Sequence, residues 1–277
     1  MPKITKPISI VCCPNSGSSI LQRALLAHPD LCGPPLMERP DAYGQLLPID
    51  TQDLKGPLPK VTKHWLKRNG RPLTFRRWAI PRFGGVYHVT EDDWTPYIDR
   101  QVKSVFGRYV EPNKRLVFKS PADSLRMRLF QRIFPDASFI WIIRNGYAVA
   151  KGIRERALFD PARPHLSGLD ISPSEAAQQW YYANTAIMLD WPKIERGLIV
   201  RYEDLVGRTR ETLYKILDFL ELPKKGFPIP RFKRILNQKR IDQMSEEEIQ
   251  TVSQIGWPLL KAYGYKNLRP YNRRNNL

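Results

Sequence analysis

Apolar residues follow two rhythms along this chain. The run Ile8-Ser9-Ile10-Val11-Cys12-Cys13 is apolar apart from one serine and rich in β-branched residues, as suits a strand buried on both faces of a parallel sheet. It breaks at Pro14-Asn15-Ser16-Gly17-Ser18-Ser19, which is turn chemistry. Ile20, Leu21, Ala24, Leu25 and Leu26 then recur at helical spacing until His28-Pro29 stops the pattern. The alternation resumes near residue 116. Leu116-Val117-Phe118 predicts a strand, 124–134 a helix, 138–143 a second buried strand and 147–159 a further helix. Ser172-Pro173-Ser174-Glu175 is a capping box that opens a helix to about residue 194. A strand at 197–202 and a helix at 209–220 follow. A second capping box, Ser245-Glu246-Glu247-Glu248, opens a last helix ending near Tyr263-Gly264. Strands alternating with helices predict an α/β fold with a central parallel sheet and helices on both faces, three layers in all.

Residues 39–115 interrupt this order. They show no clean period and hold eight of the 25 prolines and three of the seven tryptophans. The stretch reads as an insertion over the carboxyl edge of the sheet, where ligands bind in such folds. At about 100–200 residues per domain, 1–277 reads as one domain with 39–115 as its substrate-side insertion.

Charge changes the picture. The chain carries 45 Lys and Arg against 27 Asp and Glu, a net +18, which by itself suggests a nucleic-acid binder. The surplus is local, however. Residues 54–90 hold nine basic side chains, 224–240 seven and 264–277 four, and none of the three stretches holds an acid. The remainder is nearly neutral. Concentrated positive charge of this kind attracts an anionic small molecule, a polyanionic glycan, nucleic acid or an acidic membrane surface. No specific nucleic-acid partner is expected, and peripheral membrane contact stays open. No run approaches the ~18 apolar residues of a membrane span, and the N-terminus has no signal-peptide pattern. Cys12, Cys13 and Cys32, with His28, His64, His88 and His165, show no metal-ligand spacing, so no metal is expected. With no disulfide framework either, the expected setting is cytoplasmic.

The turn 14–19 lies between a buried strand and a helix N-terminus. Gly17 allows close backbone approach, the helix dipole favours a negative group, and Ser18 and Ser19 add hydroxyls, so the turn suits a phosphate. It is not a Walker A loop, because the G-x-x-x-x-G-K-[ST] pattern and its lysine are absent, and a nucleoside-triphosphatase or kinase reading loses its support. Arg144 sits at a second strand–helix junction on the same sheet edge, where a guanidinium grips a second phosphate bidentately. Lys151, Arg154 and Arg156 follow on the helix; a solvated basic face is the plainer account of Arg156 and an equal alternative for Lys151.

At this point the residues resemble a family. Pro14-Asn15-Ser16-Gly17-Ser18-Ser19 is similar to the 5′-phosphosulfate loop of sulfotransferases that use 3′-phosphoadenosine 5′-phosphosulfate (PAPS). Ile142-Ile143-Arg144-Asn145-Gly146-Tyr147-Ala148-Val149 resembles the family's 3′-phosphate motif. Phe118-Lys119-Ser120-Pro121, Phe134-Pro135-Asp136-Ala137 and Arg201-Tyr202-Glu203-Asp204-Leu205 resemble its flanking units, and Ala27-His28-Pro29-Asp30 suits the bacterial, carbohydrate and tyrosylprotein branches. The resemblance implies a P-loop-like fold of bacterial type. It implies that Asn15, Ser16, Gly17, Ser18 and Ser19 hold the 5′-phosphosulfate, that Arg144 and the position of Gly152 meet the 3′-phosphate, and that Tyr202 lies near the adenine. Lys119 then falls beside the transferring group. Three positions depart from the pattern. Asn15 stands where the family has Lys or Arg, Gly152 stands where it has serine, and Pro121 stands where cytosolic members have a catalytic histidine.

The implied reaction moves a sulfuryl group from PAPS to a hydroxyl or amine of an acceptor such as a carbohydrate or glycolipid. Sulfuryl transfer, like phosphoryl transfer, relies on positioning and positive charge. With Asn15 neutral, Lys119 or a basic residue of 54–90 or 224–240 has to supply that charge. Glu38 is the first candidate for the acceptor's base; its plain alternative is a loop carboxylate paired with Arg39. His64 and His88 are the next candidates. Glu203 and Asp204 read as structural caps of the helix behind their strand. Trp65, Phe75, Trp78, Phe83, Tyr87, Trp94 and Tyr97 either enclose an acceptor or form a satellite core. A catalytically silent relative that binds nucleotide or polyanion is the alternative to an enzyme.

Overall fold

The computed structural model describes residues 3–34, 88, 90–119, 121–158, 171–232 and 237–268. Its strands β1 (Ile8–Val11), β2 (Leu31–Cys32), β3 (Arg115–Lys119), β4 (Ser138–Ile143) and β5 (Gly197–Arg201) pair in parallel in the order β2-β3-β1-β4-β5. Alternate side chains feed two cores. Ile8, Ile10, Cys12, Val117, Ile140 and Ile142 face one layer, while Val11, Cys13, Phe118, Phe139, Trp141 and Ile143 face the other. Cys12 and Cys13, just past the end of β1, continue the alternation into opposite cores.

Helices α1 (Ser18–Leu25) and, later in the chain, the helix Thr209–Phe219 pack Leu21, Leu25, Leu213, Ile216 and Leu217 on the first face. In chain order the others are α2 (Pro96–Gly107), α3 (Met127–Ile133), α4 (Gly146–Leu158), α5 (Pro173–Asp190), α6 (Tyr202–Gly207), the helix Thr209–Phe219 as α7, α8 (Asn237–Ile241) and α9 (Glu246–Ala262). Both predicted capping boxes form: Ser172 Oγ accepts from Glu175 N and Ser245 Oγ from Glu248 N, each at 3.2 Å. Trp180 on α5 is the wedge of the second layer. It is 1% exposed, packs against Gly146 and Gly256, and donates from Nε1 to the Arg144 carbonyl at 3.0 Å. Truncating a tryptophan so placed costs about 3–5 kcal/mol.

The structure departs from the sequence pattern in three places that shape the site. The stretch 39–115 lies largely outside the described residues, yet its end forms α2, whose Val102 and Phe106 are core residues; the Phe106 ring meets that of Phe118 at 4.5 Å. The helix predicted over 124–134 divides into a 3₁₀ turn, Pro121–Leu125, and α3. Ser124 is spent on the end of β1: its Oγ accepts from Cys12 N at 3.2 Å and donates to Cys12 O at 3.1 Å. Tyr202 does not end a strand but starts α6. Together the carboxyl ends of β1, β3, β4 and β5 bring the 12–19 loop, Lys119, Arg144 and Tyr202 to one edge of the sheet.

Candidate functional site

The loop after β1 turns through two left-handed residues, Asn15 at φ 68° and Gly17 at φ 96°. Asparagine tolerates that region and glycine enters it freely. Gly17 is the N-cap of α1; no side chain caps this helix, and its first turn holds no acid. Ile20 N and Leu21 N both bond to the Gly17 carbonyl, and the uncapped first turn carries the positive end of the helix dipole, which favours a negative group. Ser16 is 1% exposed, and its Oγ has no hydrogen-bond partner among the described residues. Burial pushes the Cys12 thiol pKa up, against a hydrogen bond with Ser18 and the positive charge of Lys119. Lys119, 7% exposed at the end of β3, thus stands beside the cradle.

Arg144 follows β4, the neighbour of β1. Its guanidinium is 3% exposed and lies 4.0 Å from the centre of the Tyr202 ring. Nη1 donates to the Asn15 carbonyl at 3.0 Å and Nε to Asn237 Oδ1 at 2.9 Å, whereas Nη2 is buried without a partner among the described residues. Burial lowers the Arg144 pKa from its ordinary value; Tyr202 opposes this and the Arg240 guanidinium adds to it. The neighbouring helix end is closed. Asn145 Oδ1 accepts from Tyr147 N at 3.0 Å and Ala148 N at 3.4 Å, so an anion here meets a guanidinium rather than a free N-terminus. Tyr202, 2% exposed, fills the space between the loop after β1 and the guanidinium, with its ring over Gly17 on one side and Arg144 on the other.

Gly152 opens the site to a residue that the sequence pattern did not single out. A β-carbon there would lie 2.4 Å from Arg240 Nη1. The guanidinium of α8 occupies the room a side chain would need, held by Glu155 Oε2 at 3.1 Å from Nε and by the Ala148 carbonyl at 3.4 Å from Nη1. Lys151 and Arg154 are engaged elsewhere: both pair with Glu248 of α9, and Arg154 Nε donates to the Ile171 carbonyl at 2.8 Å.

Glu203 is not the helix cap that its position suggested. One oxygen accepts from Asn145 N at 3.0 Å and Asn237 Nδ2 at 2.6 Å, and the other from the Tyr265 hydroxyl at 3.0 Å. It ties α6 to the start of α4, to α8 and to the chain after α9. Asp204 pairs with Arg208 at 2.7 Å, an exposed helical i,i+4 contact. Glu38 and His64 lie outside the described residues. His88 bonds Asp190 at 2.8 Å. Asp190 ends α5, eleven residues past Gln179, whose carbonyl meets Cys13 Sγ at the loop. At 1.5 Å per residue, Asp190 and the His88 it bonds lie about 16 Å along α5 from Gln179, the residue of that helix that meets the loop. Among the described residues no group of three or more His, Cys, Asp or Glu side chains is placed to hold a metal, and no helix is long and apolar enough to cross a membrane.

Residues 7–226 match the model of the sulfotransferase family. The chain belongs to that family. It is 24% identical over 282 residues to a protein-tyrosine sulfotransferase of Drosophila melanogaster, covering 91% of this chain and 50% of the relative. It is 25% identical over 191 residues to the omega-hydroxy-beta-dihydromenaquinone-9 sulfotransferase Stf3 of Mycobacterium bovis, covering 64% of this chain and 47% of that one. The chain thus spans about half the length of these relatives. Among solved structures, sulfotransferase STF9 from Mycobacterium avium superimposes with a TM-score of 0.59 at 14% identity, covering 96% of this chain and 78% of that one, a likeness of fold. Sulfotransferases similar to this chain therefore carry names with very different acceptors, one a protein tyrosine and one a lipid quinone alcohol.

Proposed function

We propose that this chain is a PAPS-dependent sulfotransferase. The observation that carries the reading is a pair of buried polar atoms without partners among the described residues, Ser16 Oγ and Arg144 Nη2. They stand at the ends of adjacent strands and are joined through Asn15, whose carbonyl Arg144 holds. Two such groups, beside an uncapped helix N-terminus, fit a nucleotide with separated phosphates. PAPS, when bound, supplies the sulfuryl group and the leaving phosphate. Ser16 to Ser19 hold the 5′ end through backbone and hydroxyl donors, and Arg144 holds the 3′-phosphate. Arg240 adds a second guanidinium where Gly152 leaves room. Lys119 supplies the charge that Asn15 does not. Glu38 takes the proton of the acceptor's hydroxyl or amine, and a carbohydrate or glycolipid is the first acceptor class to try.

The cofactor assignment is tested with the product nucleotide, 3′-phosphoadenosine 5′-phosphate. At 100 times its dissociation constant a ligand stabilises a fold by about 2.7 kcal/mol, readily seen as a thermal shift. Arg144→Ala should remove the shift, and Glu38→Ala should keep it while losing transfer. No shift at millimolar nucleotide overturns the assignment. Asn15 favours one second reading, a nucleotide binder without turnover. A shift with no transfer across a broad panel of hydroxyl and amine acceptors would support it.

A further inference from the structure

A carboxylate and a guanidinium stand on either side of one amide at this site. Asn237 Oδ1 accepts from Arg144 Nε at 2.9 Å, and Asn237 Nδ2 donates to Glu203 Oε1 at 2.6 Å. The two charges are close enough to act on each other, since Glu203 raises the Arg144 pKa against the effect of burial. They do not pair directly. A direct Arg–carboxylate contact is charge-assisted and bidentate by preference, so an anionic ligand would have to displace it. The amide uses its oxygen and one of its N–H groups to hold the opposite charges a side chain apart. Neutral donors, the Asn145 N–H and the Tyr265 hydroxyl, keep the rest of the carboxylate occupied.

We propose that Asn237 is a positioning residue that insulates Arg144 from Glu203 and so keeps Nη2 of that arginine available to the 3′-phosphate of the nucleotide. The inference rests on the reading of Arg144 given above. It accounts for an Nη2 without a partner among the described residues although the same amide also holds a carboxylate. It also gives the five-residue α8 a function, because the helix carries both Asn237 and Arg240 to the same edge.

The test compares two nucleotides by calorimetry: 3′-phosphoadenosine 5′-phosphate, and adenosine 5′-phosphate, which lacks the 3′ group. If the wild type does not prefer the first, or Arg144→Ala keeps the preference, the reading of Arg144 itself fails and the inference falls with it. If that preference exists and depends on Arg144, Asn237 is tested on its own. Asn237→Ala should weaken the 3′-phosphorylated nucleotide about tenfold or more and leave adenosine 5′-phosphate within twofold. Asn237→Asp keeps the size of the side chain but puts a carboxylate on Arg144, and should do the same. The double variant Asn237→Ala/Glu203→Gln should regain affinity to within about threefold of wild type, because the competing charge is gone. Equal weakening of both nucleotides, no weakening, or a double variant no better than Asn237→Ala overturns the proposal. A merely structural asparagine would weaken both ligands and would not be rescued by a second substitution in its own partner.

Discussion

The ring of Tyr202 lies so close to Gly17 that a β-carbon on the glycine would meet Tyr202 Cδ2 at 2.3 Å. The same glycine sits at φ 96°, where a side chain is strained whatever its surroundings. Gly17→Ala therefore combines a left-handed backbone cost of about 1–2 kcal/mol with displacement of a ring that also stacks on Arg144. It should lower stability in chemical denaturation by about 2 kcal/mol or more. Binding of 3′-phosphoadenosine 5′-phosphate should weaken with it. Unchanged stability together with unchanged binding would mean that the ring is not pinned between Gly17 and Arg144.

Much of this frame was legible in the chain itself, and the reasons differ by element. β1 and β4 are buried on both faces, so their apolar runs needed no partner to be read. The capping boxes at Ser172 and Ser245 are local and were likewise visible. The loop 14–19 was readable as a tight strand-to-helix turn because turn residues, serines and helix start are contiguous. Arg240 was not readable as a partner of Gly152, because the contact joins residues 88 positions apart through a helix of five residues, too short to show a period. Glu203 looked like a cap because capping is the usual task of an acid at a helix start; its three donors come from distant segments. His88 looked like a base among aromatics, and only the geometry of α5 shows it bound to Asp190 at the other end of that helix.

Restoring a side chain at Gly152 tests the exchange with Arg240. In Gly152→Ser the new β-carbon would meet Nη1 at 2.4 Å, the flexible end of the arginine, which can move aside. Stability should change by less than about 1 kcal/mol. The affinity for 3′-phosphoadenosine 5′-phosphate should fall several-fold, as a charged donor gives way to a neutral one. Arg240→Ala should lose more, and adding Gly152→Ser to it should recover part of the loss. Calorimetric titration of the four proteins decides, and a serine that recovers nothing would mean that Gly152 does not border the nucleotide.

The His88–Asp190 pair predicts a pH-dependent stability. The hydrogen bond to Asp190 raises the His88 pKa above its ordinary 6.5; burial works against the rise, and Asp93 and Arg128 also face the imidazole with opposing effects. A histidine whose folded pKa is raised stabilises the fold fully below the unfolded value and loses that contribution as pH rises through the folded one. His88→Gln should therefore lower the unfolding midpoint more at pH 5.5 than at pH 9. A gap that is constant across the range would assign the pair only its neutral hydrogen bond.

Asn15 decides whether the charge at the cradle is complete. The residue is left-handed at φ 68°, so lysine there carries a backbone cost of about 1 kcal/mol. Its backbone carbonyl, not its side chain, holds Arg144, and the substitution leaves that contact in place. A positive group at the leaving oxygen is worth about two to three powers of ten where a preorganised donor is otherwise missing. If Lys119 already does part of this work, Asn15→Lys should raise donor turnover by about tenfold, read as release of 3′-phosphoadenosine 5′-phosphate from PAPS. Lys119→Ala should lower it by a comparable factor. The double variant separates the roles. Turnover near wild type means that a lysine at either position serves the same oxygen, whereas turnover as low as in Lys119→Ala alone means that Lys119 acts at a place the cradle loop does not reach.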